Sequence, residues 1–312
     1  MSEPPPQGVH GGPQPDVRLA CEAMATRFEV ALFLEPGQDA PADRALLLAG
    51  GEAALDEVRH WHTRLSAFDP GSFVSHVNAR AADAPVTCDP EFFSLLTLCE
   101  AVWRESAGAF DPAIGALLRA AGLRGTPRDA GALERARAAS GFHLVHLDHA
   151  ARTVRFSVPG VGLDFGAVGK GFALDRAAER LKESGVSRGI LHGGTSSVLA
   201  LDGPPPPPDP DGPGGAGQSF RVALGHEPDA PVIGLQNAAL GVSASDGREA
   251  IDPAGRPHGH VLNPRTGASA PWAARVAVVA PHAALADAWS TALLAGGGAD
   301  PPLPPGCRAQ RW

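Results

Sequence analysis

The sequence predicts a protein of mixed helix and strand, and three features predict it. Apolar residues recur at helical spacing through much of the first half, short alternating or apolar runs crowd the second half, and two further helical segments interrupt those runs. Length and composition agree. A chain of 312 residues, 44% hydrophobic and 19% charged, can bury a sizeable core, while 31 prolines and 38 glycines leave much of it for loops.

In chain order, residues 1 to about 17 form a Pro/Gly-rich segment with too little apolar side chain to offset its ordering entropy, and disorder is expected there. Phe28 to Phe33 alternates and then turns apolar, as a strand does. Residues 42 to 65 carry a helical pattern. A second helix is expected from Asp89 to Ser106, with Asp89 as N-cap and Pro90 in the first turn, and a third from Pro112 to Ala121. Strands are expected at Thr153 to Val158, Gly189 to His192, Ser196 to Leu201, Phe220 to Leu224 and Arg275 to Ala280, with helices at about 171 to 184 and 282 to 295. The low-complexity stretch at about 203 to 218 reads as a surface loop between strands rather than a linker. One domain from 18 to 296 is therefore expected, followed by a Pro/Gly-rich tail over 297 to 312.

Charge and cysteine usage exclude several classes. A net charge of -8, with no cluster of Lys and Arg, argues against wrapping nucleic acid. The four cysteines, Cys21, Cys88, Cys99 and Cys307, lack Cys-x-x-Cys spacing, so neither a zinc site nor a disulfide framework is indicated. No apolar run reaches the roughly 18 residues that span a bilayer. The N-terminal stretch has no apolar h-region, and Arg18-Leu19-Ala20-Cys21 is not preceded by one, so a cytoplasmic protein is expected.

Three segments carry chemistry. In Gly162 to Asp175 an apolar run, read as a strand, enters a glycine-rich turn and then an amphipathic helix; such a turn can present backbone N–H groups to a phosphate, with Lys170 adding charge. It is not a Walker A loop, because Asp164 stands where the first glycine belongs and Gly171 where the Ser or Thr belongs. Taken alone, such a turn more often serves simple packing. In Ala286 to Ala292, Asp287 and Thr291 are four residues apart and share one helix face, so both oxygens can reach one hard cation. A helix-start charge and a packed hydroxyl would explain them as well. In Pro257 to Gly267, a short strand ends in an Asn-Pro turn closed by Gly267, and His258 and His260 could act as base or acid near neutral pH.

Taken together and in this order, these segments resemble the FAD:protein FMN transferase family, also called the ApbE family. The resemblance rests on Asp164 to Gly171, Gly193-Gly194, His260 to Gly267 and Ala286 to Thr291. It is extended by Met24-Ala25-Thr26, by Ser66 to Ser72 with Asn78, and by Ala109 to Pro112, over about residues 20 to 296. It implies a T-fold-like α+β architecture of two lobes with FAD in the cleft between them. It further implies that Met24, Phe68, Ala109, Phe110, Asp111, Asp164, Lys170 and Val261 contact FAD, that the Ala167 carbonyl with Asp287 and Thr291 binds magnesium, and that His260 and Asp287 serve the reaction. The implied reaction moves FMN from FAD to a Thr or Ser hydroxyl of a partner flavoprotein and releases AMP. A metal-dependent FAD pyrophosphatase and a flavin-binding protein without turnover are the alternatives. The chain departs from the family pattern at Ala25, where glycine is usual, and at the turns around Gly193-Gly194 and Ser245-Asp246-Gly247.

Overall fold

The computed structural model describes residues 14–35, 37–38, 40–123, 130–201, 219–225, 230–245, 250–251, 257–258, 261–270, 274–297 and 300–312. In chain order it runs β1 (Val17–Ala23), β2 (Thr26–Leu32), α1 (Pro41–Leu65), α2 (Phe73–Arg80), β3 (Val86–Thr87), α3 (Pro90–Glu105), α4 (Gly115–Ala120) and α5 (Ala130–Ala138). It continues with β4 (Val145–Asp148), β5 (Thr153–Phe156), α6 (Gly169–Glu183), β6 (Gly189–Gly193), β7 (Ser197–Leu201), β8 (Phe220–Ala223), β9 (Val232–Leu235) and β10 (Ala238–Ala244). The last elements are β11 (Ala250–Ile251), β12 (Pro257–His258), β13 (Arg275–Ala280), α7 (Ala283–Ala295) and β14 (Arg308–Arg311). The chain is thus α+β, and it divides into two compact units. One holds residues 1–62, 170–241 and 279–286; the other holds 63–169, 242–278 and 287–312.

In the first unit, β1, β2, β6, β7 and β10 lie side by side in that order. All four neighbouring pairs among them are antiparallel. The β1–β2 hairpin turns through Met24 and Ala25, both left-handed at φ 50 and 58. Two positive φ values in a two-residue loop match the right-handed strand twist, a geometry usually filled by Asn-Gly. The Met24 N–H donates to His62 Nδ1 at 3.1 Å and fixes the turn. The helices α1 and α6 meet where the buried Trp61 ring stands edge-on to Phe172, 4.8 Å between centroids. There Glu57 accepts from the Trp61 indole at 2.7 Å and from Arg180 at 3.1 Å.

Among the described glycines of this unit, the tightest site is Gly171. A Cβ there would stand 2.2 Å from the Ala283 carbonyl oxygen, so only glycine lets α6 lie against the first turn of α7. One helical turn later, on the same face, the Asp175 carboxylate accepts the Ala283 and Ala284 N–H groups at 2.8 and 2.9 Å. Those donors are unsatisfied within their own helix, and a carboxylate from another helix caps them. Burial pushes the Asp175 carboxyl upward, and the two N–H groups oppose that shift.

The second unit packs α2, α3 and α4 with a three-stranded sheet in the order β3-β5-β4. Helix α3 follows its caps closely: the Asp89 side chain accepts Phe92 N–H at 3.0 Å, and Pro90 occupies the first turn, where a missing N–H costs nothing. Helix α2 is capped in the same manner by Ser72, which accepts Ser75 N–H at 3.0 Å. The run from Gly162 to Phe165, expected as a strand, is an irregular buried segment instead. Its hydrogen bonds go to partners that no strand supplies. The Asn78 amide gives and takes one bond each with Leu163, at 2.9 and 2.7 Å, while Pro112 accepts from Asp164 N–H at 2.8 Å and Gly162 from Gly115 N–H at 2.9 Å. The low-complexity loop at 203 to 218 lies outside the described residues. Among those described, no helix is long and apolar enough to cross a membrane.

Candidate metal and flavin site

Helix α7 is apolar on nearly every face, as a helix enclosed on all sides must be. From Ala286 to Ala295 each residue is buried except Thr291, which is half-buried. One turn before it lies the Asp287 carboxylate, 6% exposed. Asp287 and Thr291 thus stand one turn apart within this helix. A third oxygen joins them from β10: Ser243 Oγ lies 2.8 Å from Ser290 Oγ and 3.1 Å from Thr291 Oγ1. Ser290 in turn donates to the Asp287 carbonyl at 3.0 Å. Nothing local in the sequence points to Ser243, because 47 and 48 residues separate it from its two partners.

Ala167 sits half-buried in the turn that precedes α6. Asp164 shapes that turn, its Oδ1 accepting Gly166 N–H at 2.9 Å, and Phe165 anchors it by an edge-on contact with Phe92 at 5.7 Å. The Gly169 N–H then donates to the Phe165 carbonyl at 2.7 Å and starts the helix. Lys170, in the other unit, is half-buried in the first turn of α6. Met24, also there, is half-buried at the hairpin turn already described.

Phe68 is 73% exposed, an unusual setting for so large an apolar ring. Its loop is held by its own polar atoms. Ser66 Oγ accepts from Asp69 N–H at 3.2 Å, Asp69 Oδ1 from Gly71 N–H at 2.8 Å, and the Ser72 hydroxyl donates to the Ser66 carbonyl at 2.7 Å.

Ala109 and Phe110 are each 1% exposed, and Asp111 is committed to the backbone. Its two oxygens accept the N–H groups of Ala113 at 2.7 Å and Phe142 at 2.9 Å. Burial pushes its carboxyl up to about 6 against those donors and the nearby Trp103 and His143. A side chain with both oxygens so engaged shapes the loop that carries Ala109 and Phe110.

Val261 is half-buried and its carbonyl accepts Ala270 N–H at 2.8 Å. After it the chain reverses through the expected Asn-Pro turn. The Asn263 carboxamide oxygen accepts from Arg265 and Thr266 N–H groups at 3.0 and 3.2 Å, and Gly267 closes the turn at φ 71. Arg137 donates to the Thr266 carbonyl at 2.6 Å, and Asn263 donates to the Ala295 carbonyl at 2.9 Å, tying the loop to α5 and to the end of α7. His260 lies outside the described residues.

Among the described residues no three His, Cys, Asp or Glu side chains gather to hold a metal by themselves. The donors at α7 are one carboxylate and hydroxyls, a hard and incomplete oxygen set. Such a set suits a cation that takes its remaining ligands from phosphate and water.

A family profile described as the ApbE family matches residues 24–300. A Rhodobacter capsulatus protein named FAD:protein FMN transferase is 30% identical over 298 residues, 93% of this chain and 53% of that protein. A Treponema pallidum protein of the same name is 32% identical over 162 residues, 48% of this chain and 45% of its own length. The chain matches about half the length of these two relatives. The crystal structure of the ApbE protein from Thermotoga maritima shares 25% identity and a TM-score of 0.75, covering 91% of this chain and 88% of its own. That of the flavinyl transferase ApbE from Pseudomonas stutzeri, at 24% identity, has a TM-score of 0.71 over 89% and 84% of the two chains, a likeness of fold.

Proposed function

The chain belongs to the ApbE family, and on that premise we propose that it transfers FMN from FAD to a threonine or serine hydroxyl of a partner flavoprotein, using magnesium. The observation that carries this reading is the oxygen cluster on α7: a buried Asp287 carboxylate, with the half-buried Thr291 hydroxyl one turn on and bonded to Ser243. Asp287, Thr291 and the Ala167 carbonyl would hold the cation, with FAD phosphate oxygens and water completing about six ligands. When bound, the ion supplies charge neutralisation on the pyrophosphate, the main demand of splitting a phosphoanhydride.

The chain's own residues do the rest. Lys170 brings a second positive charge to the phosphates. The exposed Phe68 ring offers a flat apolar face to a flavin. Met24, Ala109, Phe110, Asp164 and Val261 would line the dinucleotide, with Asp111 fixing the loop beneath Ala109 and Phe110. His260 would accept the proton of the acceptor hydroxyl as its oxygen bonds to the FMN phosphorus. The pyrophosphate P–O bond breaks on the other side, and AMP leaves with the bonding electrons.

The test is to incubate the full chain with FAD, magnesium and a candidate flavoprotein subunit, then to weigh the subunit by mass spectrometry. The expected result is one added FMN on the subunit and an equal amount of AMP. Free FMN with no mass gain would establish hydrolysis instead, and an unchanged FAD pool would establish binding alone.

A further inference from the structure

We propose that Ser243 is a positioning residue for the cation site, because its hydroxyl fixes the direction of the Thr291 proton. The proposal rests on the reading of Thr291 as a cation ligand. A neutral hydroxyl that ligates a cation must turn its lone pairs toward the ion and its proton away, and a free Thr rotor has no preference of that kind. The contacts around Thr291 supply one. Ser290 donates its only proton to the Asp287 carbonyl, at 3.0 Å. Its oxygen can then only accept from Ser243, 2.8 Å away, which uses the single Ser243 proton. The Ser243 oxygen is left as an acceptor, and Thr291 Oγ1 at 3.1 Å is the donor that faces it. The protons therefore run in one direction, from Thr291 to Ser243 to Ser290 to the Asp287 carbonyl. The Thr291 lone pairs are left pointing away from β10.

The chain of hydroxyls also ends on Asp287, the residue that carries the carboxylate ligand of the proposed site. Thr291 and Asp287 are thereby joined twice, through the turn of α7 between them and through β10. Partners of metal ligands that fix ligand orientation typically affect metal affinity by about 10- to 100-fold. Ser243 stands at the low end of that range, because it orients a neutral ligand and Asp287 keeps its charge without it.

Manganese(II) is the probe, titrated into the full chain in the presence of FAD and followed by electron paramagnetic resonance of the free ion. Ser243→Ala is expected to weaken manganese binding about tenfold. Its urea midpoint should stay close to the parent's, and Ser243→Thr, which keeps the hydroxyl, should restore the affinity. Affinity within twofold of the parent in Ser243→Ala would overturn the proposal. So would a loss that Ser243→Thr does not restore, since that marks a packing role. Asp287→Ala separates the two levels of inference: manganese binding that survives in Asp287→Ala removes the cation site itself. Binding lost in Asp287→Ala but kept in Ser243→Ala leaves the site standing and removes only the part assigned to Ser243.

Discussion

Replacing Gly171 by alanine tests whether the glycine of the Lys-Gly pair serves packing. The new methyl carbon would lie 2.2 Å from the Ala283 oxygen, 2.4 Å from its carbonyl carbon and 2.6 Å from Ala284 N, all backbone atoms that no rotamer change can move. Ordinary contact begins near 3.4 Å, so α6 and the first turn of α7 must separate by roughly 1 Å. The Asp175 bonds to Ala283 and Ala284, now 2.8 and 2.9 Å, would then stretch beyond useful length, each contributing about 1 to 2 kcal/mol. Alanine returns about 1 kcal/mol of helix propensity. The expected net loss is about 2 kcal/mol, read as a lower urea midpoint in equilibrium unfolding followed by the fluorescence of buried Trp61 and Trp289. Because both changes break one contact, Gly171→Ala with Asp175→Asn should lose clearly less than the two losses added. A Gly171→Ala variant as stable as the parent would refute the close-packing argument outright.

Three further outcomes are expected. Ala25, held at φ 58 where the family pattern has glycine, should gain about 1 kcal/mol of stability as Ala25→Gly, since relief of left-handed strain exceeds the entropy that glycine adds to the unfolded chain; a lower thermal midpoint would contradict this. The Asp111 carboxyl, raised from 3.8 to about 6, binds its proton more tightly folded than unfolded, so its contribution is complete below pH 3.8 and is lost as pH rises through 6, a loss of about 3 kcal/mol. The stability gap between the parent and Asp111→Asn, measured by urea unfolding at pH 4 and pH 7.5, should therefore move in the variant's favour as pH rises, and a gap that stays constant would remove the assignment. In the transfer assay Asp287→Ala should lower the rate far more than His260→Ala, because the cation both positions FAD and neutralises its charge, whereas one base typically supplies about 10²- to 10⁴-fold; the reverse order would count against the proposed division of roles.

The elements that the sequence announces are those whose cause is local. Helix α3 was legible because Asp89 and Pro90 supply cap and first turn within three residues of the first apolar position, and β13 because its apolar run is bounded by turn residues. The i, i+4 relation of Asp287 and Thr291 needs only the helical repeat. The elements β1, α2, β3, α5, β4, β9, β10, β11 and β14 carry no such signal, since two to nine residues hold too little periodicity to read.

By itself the sequence determined the order of the long elements, the caps, and which motifs travel together along the chain. Only the tertiary structure decided what those motifs touch. Gly162 to Phe165 has the composition of a strand, yet Asn78, 85 residues away from Leu163, takes the bonds a neighbouring strand would take. Asp111 stands two residues after Ala109, but that its two oxygens accept the Ala113 and Phe142 N–H groups is visible only in the fold. Ser243 carries no signal until β10 brings it to α7. The physical reason is the same in each case: a hydrogen bond is a matter of a few tenths of an ångström, and between residues far apart in the chain that distance is fixed by how the whole core packs.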